Sequence, residues 1–209
     1  MSKLLEMLSK NKMTLIVQLP ENDLEMARAA EAAGADALAI NRGENQAEIL
    51  KEAKIPVGID LSSKEKLNET EIKTCEKFDF INFHFDSLAA VAKRIKSGRI
   101  IALSNDYTLD KIIGVERIGA QAIDAAIVPL SQGPRELIVG DLQNYIAIAI
   151  SSGLPVIIPT QRAVKPSEVA IIADTGAKGL LLTRVVLGDS VKSLEKAIKE
   201  YRLAVDDLG

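Results

Sequence analysis

The 209-residue sequence predicts a single eight-stranded (β/α)8 TIM barrel over residues 1–209, an α/β fold led by a short N-terminal helix. Three observations carry this reading. Eight short aliphatic runs, at 14–18, 37–42, 56–60, 80–84, 100–105, 122–131, 155–161 and 179–184, each end abruptly in polar residues. Most are continuously apolar rather than alternating, as strands are when helices cover one face of a sheet and packed side chains fill the other. Finally, Gly34-Ala35, Gly119-Ala120 and Gly176-Ala177 each close a helix-like stretch and open a strand; glycine suits the left-handed position that ends a helix. An open doubly wound sheet is the competing architecture, and the eighth strand with its closing helix favours the barrel.

Leu4, Leu5 and Leu8 put an apolar stripe on a first helix suited to the barrel floor. TLIVQ is the first strand, and Pro20 cannot continue it. Asn22 or Asp23 caps a helix that stops at Gly34. GADALAINR, IPVGIDLSS and FDFINFHF supply the second to fourth strands, separated by ENQAEILKEAK and by a helix over 65–77 that Ser62 or Ser63 caps. After the fourth strand, SLAAVAKRIKSG is helical and RIIALSND is the fifth strand. The helix LDKIIGVERIG leads to the sixth, GAQAIDAAIVPLS; an insert, QGPRELIVGDLQ, and the helix NYIAIAISSG then follow. LPVIIPTQ, PSEVAIIADTG, GAKGLLLTRVV and SVKSLEKAIKEYRLAV complete the last two strands and their helices.

Net charge is −3 and aromatics make up 3% of the chain, with no Trp. That balance argues against nucleic-acid or anionic-membrane surfaces and against base-stacking platforms. No apolar stretch is long enough to span a bilayer, and the N-terminus lacks a signal-peptide core. One Cys and one His leave neither a disulfide nor a thiolate or multi-histidine metal site, so a cytoplasmic protein without metal or cofactor is expected. The apolar NYIAIAI and EVAIIA helices could supply a homo-oligomer face, though simple barrel packing accounts for them equally well.

In such a barrel the carboxyl ends of all strands open on one face, so the residues ending the runs draft the active site. Asp60 reads as a general base or cation partner, or alternatively as a helix cap. His84, the sole histidine, is an acid or base if it faces inward, and otherwise a buried histidine satisfied by the backbone. Asp124 sits among aliphatics, where a carboxylate costs several kcal/mol unless paired or protonated. It is therefore a functional carboxylate or a structural partner for a neighbouring Asn or Arg. Arg42, Arg162 and Arg184 end the second, seventh and eighth strands and together suggest a wall for a small anionic metabolite. Nearby carboxylates such as Glu44, Glu168 or Asp189 could instead occupy them. Gln18, Asn41, Asn105, Gln161 and Thr183 complete the expected lining.

Taken together, GADALAINR, IPVGID, GAQAIDAAIVPLSQG, PVIIPTQRAVKPSEVA and GAKGLLLTRVVLG resemble the ribulose-phosphate-binding barrel superfamily, with a layout most like the N-acetylmannosamine-6-phosphate 2-epimerase family. The resemblance implies anion contacts from Arg42 and Arg162, and a phosphate-gripping segment at Thr183–Val186. It does not extend to the chemistry. The family's lysine after strand three is replaced by Leu61-Ser62-Ser63, and Thr160 stands at or near the place of its glutamate. The glycines of its phosphate loops are replaced by Thr160-Gln161-Arg162 and Thr183-Arg184. The reading is an acid–base isomerase, epimerase or lyase of a phosphorylated or carboxylated metabolite. The alternative is a non-catalytic barrel that binds a ligand or scaffolds a complex.

Overall fold

Eight parallel strands close in chain order, each hydrogen-bonded to the next and the eighth back to the first. The computed structural model describes residues 2–63, 73–87, 94–129, 132 and 134–209. The strands are β1 (Thr14–Gln18), β2 (Ala37–Ile40), β3 (Val57–Leu61), β4 (Phe80–His84), β5 (Gly98–Ala102), β6 (Ala122–Asp124), β7 (Val156–Pro159) and β8 (Gly179–Leu182). Helices among the described residues include α1 (Lys3–Lys10), α2 (Leu24–Ala32), α3 (Gln46–Glu52), α4 (Leu109–Ile112), α5 (Val139–Ser152), α6 (Val169–Asp174), α7 (Arg184–Leu187) and α8 (Val191–Asp206). The helices expected over 65–77 and 87–98 fall largely outside the described residues, as does Ser131. No helix of the described residues is long and apolar enough to cross a membrane.

Both strand faces are buried, as the continuous apolar runs require. Ile16, Ala39, Phe80, Ile100, Ile157 and Leu181 pack along the barrel axis, and a second, larger cluster fills the space between sheet and helices. α1 closes the floor, and its fully buried Leu4 and Leu8 join the axial cluster. Each is worth about 1.5–3 kcal/mol of burial. Asp79, just before β4, fixes this plug by accepting from the N–H groups of Lys3 at 2.8 Å and Leu4 at 3.0 Å. Higher in the barrel, a side chain on Gly58 would begin 2.2 Å from the Phe80 ring, so glycine on β3 is what lets that ring cross the axis. Gly34, Gly119 and Gly176 all take positive φ, as the repeated helix-to-strand step demands.

Three elements depart from the sequence reading. The ten-residue run expected for β6 holds strand geometry only over Ala122–Asp124; Ala125 N–H still bonds to Ile157 O, but Ile127 N–H turns back to Ala125 O at 2.8 Å, leading the chain out of the sheet. The helix expected over 109–119 is cut into α4 and a 3-10 turn at Val115–Ile118 by Gly114 at φ 78°. α5 begins earlier than its apolar pattern indicates, because Asp141 accepts the Ile138 N–H at 3.1 Å and caps a start within the expected insert.

Candidate active site

Side chains alternate along a strand, so the inward residues follow from the axial core. Beyond Ile16 on β1 comes Gln18; beyond Phe80 on β4 come Asn82 and His84; beyond Ala122 on β6 comes Asp124; and Asp60 follows Gly58 on β3. Gln18 Nε2 donates to Asp60 Oδ2 at 2.6 Å, reaching across β2, where Ala39 leaves room. Asn82 Nδ2 donates to Asp124 Oδ2 at 2.6 Å, reaching across β5. Asp60 and Asn82 are register partners on adjacent strands, which places the two amide–carboxylate pairs side by side. Below Asn82 and Asp124 lies a small apolar void walled by Ile16, Ile100, Ile157 and Leu181. It has room for about one water molecule, so the carboxylates form the bottom of any pocket entered from the strand ends.

The two carboxylates have different environments. Asp60 is half-buried, and burial raises its pKa. Hydrogen bonds from the hydroxyl and the backbone N–H of Ser62, the latter at 2.8 Å, oppose that rise by favouring the ionised form. Asp124 is fully enclosed, and its pKa is pushed up to about 7, first by burial and then by the charge of Asp60, with only the Asn82 bond opposing. Asp124 Oδ1 and Asn82 Oδ1 are buried with no hydrogen-bond partner among the described residues. A proton on Asp124 replaces one of these acceptors with a donor, which suits the neutral form. The pair can therefore hold one ionised and one protonated carboxyl near neutral pH, the condition for one to accept a proton while the other gives one.

His84 stands at the end of β4, partly exposed, and its Nδ1 accepts the Asp86 N–H at 3.1 Å, which leaves Nε2 to carry the proton of the neutral ring. Asn41 is a loop organiser: its N–H bonds to Asn22 Oδ1 and its carbonyl accepts from Asn22 and Gln46. Gln161 Oε1 accepts the Val128 N–H at 3.0 Å. Thr183 caps α7 and is tied to Thr160 through three hydrogen bonds of 2.8–3.2 Å. Asn105 and Arg42 are exposed on their loops.

The arginines expected to form one wall are engaged separately. Arg162 is 5% exposed and forks onto Asp141 of α5, Nε to Oδ2 at 2.8 Å and Nη2 to Oδ1 at 3.0 Å, with Nη2 also reaching Gln132 at 2.9 Å. Placing that guanidinium on a ligand would strip a buried carboxylate of its counterion. Arg184 pairs with Asp189 on the surface.

No cluster of three or more His, Cys, Asp or Glu positioned to hold a metal ion occurs among the described residues. A hollow at the ends of β4 and β5, lined by Phe85, Leu103, Tyr107 and Lys111, opens toward the helix layer. Phe85 and Leu103 alternate with the inward His84 and Ala102, so this hollow lies off the barrel axis. Two residues of the central arrangement are not among the strand-end candidates. Asn82 is hidden inside FDFINFHF, where its two-residue offset from both Phe80 and His84 marks it as inward. Asp141 is the one charge in VGDLQNYIAIAISS.

No protein-family model matches the chain, and no curated protein sequence matches it. Solved structures do share its fold. Tryptophan synthase of Mycobacterium tuberculosis superposes with a TM-score of 0.73 at 14% identity, covering 98% of both chains. Phosphoribosyl anthranilate isomerase of Thermus thermophilus gives 0.70 at 15%, covering 94% of this chain and all of the other. N-acetylmannosamine-6-phosphate 2-epimerase of Clostridium perfringens gives 0.66 at 20%, covering 87% and 90%. The likeness is one of fold: the barrel that the motif resemblance implies is present.

Proposed function

We propose that this barrel is an enzyme that moves a proton on a small anionic metabolite, in isomerase, epimerase or lyase chemistry. The observation that carries the proposal is the pair of barrel carboxylates held by Gln18 and Asn82, with unequal proton affinities. Asp60, ionised and nearer the mouth, takes a proton from a carbon next to a carbonyl. The electron pair left by that C–H bond moves onto the carbonyl oxygen, which receives the proton of Asp124. Returning the proton to the same or a neighbouring carbon gives an isomer, and expelling a leaving group gives a lyase product. Acid–base assistance of this kind contributes roughly 10²–10⁴-fold.

The anion is assigned to two arginines. β2 and β8 flank β1, so Arg42 and Arg184 stand on either side of the strand carrying Gln18. The Arg184–Asp189 pair is solvent-exposed; such pairs are worth about 0–1 kcal/mol, little enough for a substrate phosphate or carboxylate to displace Asp189. That two of the solved structures sharing this fold carry phosphorylated metabolites in their names supports the same substrate class.

Proton abstraction is detectable before the reaction is known. With phosphorylated sugars and keto or hydroxy acids in D2O, the expected result is loss of a C–H signal from at least one compound, slowed at least ~100-fold by Asp60→Asn. Exchange with no compound, or equal exchange by the variant, rejects the proposal and favours a non-catalytic binding barrel.

A further inference from the structure

We infer that the outer face of α5 is a two-fold interface with a second copy of this chain. Among the described residues, the exposed large hydrophobics concentrate on one side of the barrel: Leu109 and Ile113 at α4, and Ile138, Val139, Ile146 and Ile150 on or beside α5. α4 and α5 pack against each other, so these side chains belong to one continuous surface. Within α5, Val139, Gln143, Ile146 and Ile150 recur at 4-3-4 spacing and are all exposed, Val139 at 72% and Ile150 at 78%. That spacing is the seam of two packed helices, not the broader stripe of a helix facing its own core. The core-facing stripe of α5 is separate and already used, by Tyr145 and Ile148.

Charge selects the occupant. Asp141 is the only charged residue in α5; it is buried and neutralised by Arg162, so the outer face carries apolar groups and the amides of Gln143 and Asn144 and no charge. By contrast, α8 exposes Lys192, Lys196, Lys199 and Glu200. An isologous contact sets a surface against itself, so every charge near its axis meets its like. An uncharged face avoids that repulsion, and amides can both donate to and accept from their own copies. It offers nothing to select an acidic or basic partner. An antiparallel pairing about a two-fold near the middle of α5 sets Val139 of one copy opposite Ile150 of the other.

The test is the mass of the full chain in solution, by sedimentation equilibrium at micromolar concentration. The wild type is expected at the mass of two chains. Val139→Lys and Ile150→Glu should each weaken association at least ~10-fold with unchanged circular dichroism, since both positions are exposed. The double variant Val139→Lys/Ile150→Glu should recover the dimer, because the antiparallel geometry sets each lysine against a glutamate. A monomeric wild type, or an oligomer that both single variants leave intact, overturns the inference. So does a monomer that instead co-sediments with phosphatidylcholine vesicles, which would make a membrane surface the occupant. None of these readouts depends on catalysis, so the interface and the proposed reaction stand or fall separately.

Discussion

Replacing Asp124 with asparagine is expected to remove proton transfer and, at pH 8, to make the protein more stable. The two effects have one cause. Asp124 is enclosed among aliphatic side chains beside a second carboxylate, and its pKa rises from 3.8 to about 7. A native pKa above the unfolded one means that the folded state keeps its proton between pH ~4 and ~7, where the unfolded chain has lost it. The stability this contributes is complete below pH ~4 and falls by ~1.4 kcal/mol per pH unit up to pH ~7. Above that it is lost, an upper bound of roughly 4 kcal/mol. Asparagine keeps an oxygen for Asn82 Nδ2 and never ionises, so the variant should lack this decline. Urea unfolding at pH 5 and pH 8 should show the variant gaining on the wild type only at the higher pH, while turnover drops by ~10²–10⁴-fold at both. A merely structural Asp124 predicts the stability change without the loss of turnover.

Substitution of Arg162 by methionine should do the opposite, destabilising the fold while leaving ligand affinity unchanged in the protein that remains folded. Its guanidinium sits in a buried fork with Asp141 and a further bond to Gln132. Removing it leaves the Asp141 carboxylate enclosed without its counterion, a defect of about 3–5 kcal/mol. That is a large share of the 5–15 kcal/mol typical of a folded domain. Adding Asp141→Leu should recover part of the loss, but not all, because Asp141 also accepts the Ile138 N–H that starts α5. If Arg162 gripped the substrate instead, the single variant would weaken binding and shift the urea midpoint little.

These two residues show what the linear sequence carries and where it stops. β1 and β4 occupy the residues their apolar runs mark, Asp23 caps α2 by accepting the Met26 N–H, and the repeated glycines take positive φ. All of these are local consequences of side-chain type. Asp60 and Asp124 are visible as carboxylates at the ends of apolar runs, but their partners are not. Closure places β1 within reach of β3 and β4 within reach of β6, so Gln18 and Asn82 meet their carboxylates across intervening strands. No spacing rule encodes that reach. Charge is likewise legible and its pairing is not: Arg162 ends a strand like Arg42 and Arg184, yet an aspartate 21 positions earlier, on the helix preceding its own strand, turns it into a structural ion pair. The short β6 has a similar origin, since the turn at Ala125–Ile127 is written in apolar residues that would extend a strand equally well.

The account rests on two barrel carboxylates that share one proton near neutral pH, and the Asp124 carboxyl itself reports on it. Carbon-13 NMR of the aspartate side-chain carboxyls across pH 4 to 9 should show Asp124 titrating near 7 in the wild type and at lower pH in Asp60→Asn, where the neighbouring charge is gone. A midpoint near 4, or one that Asp60→Asn leaves in place, would show that the carboxylates are uncoupled and contradict the assignment of base and acid.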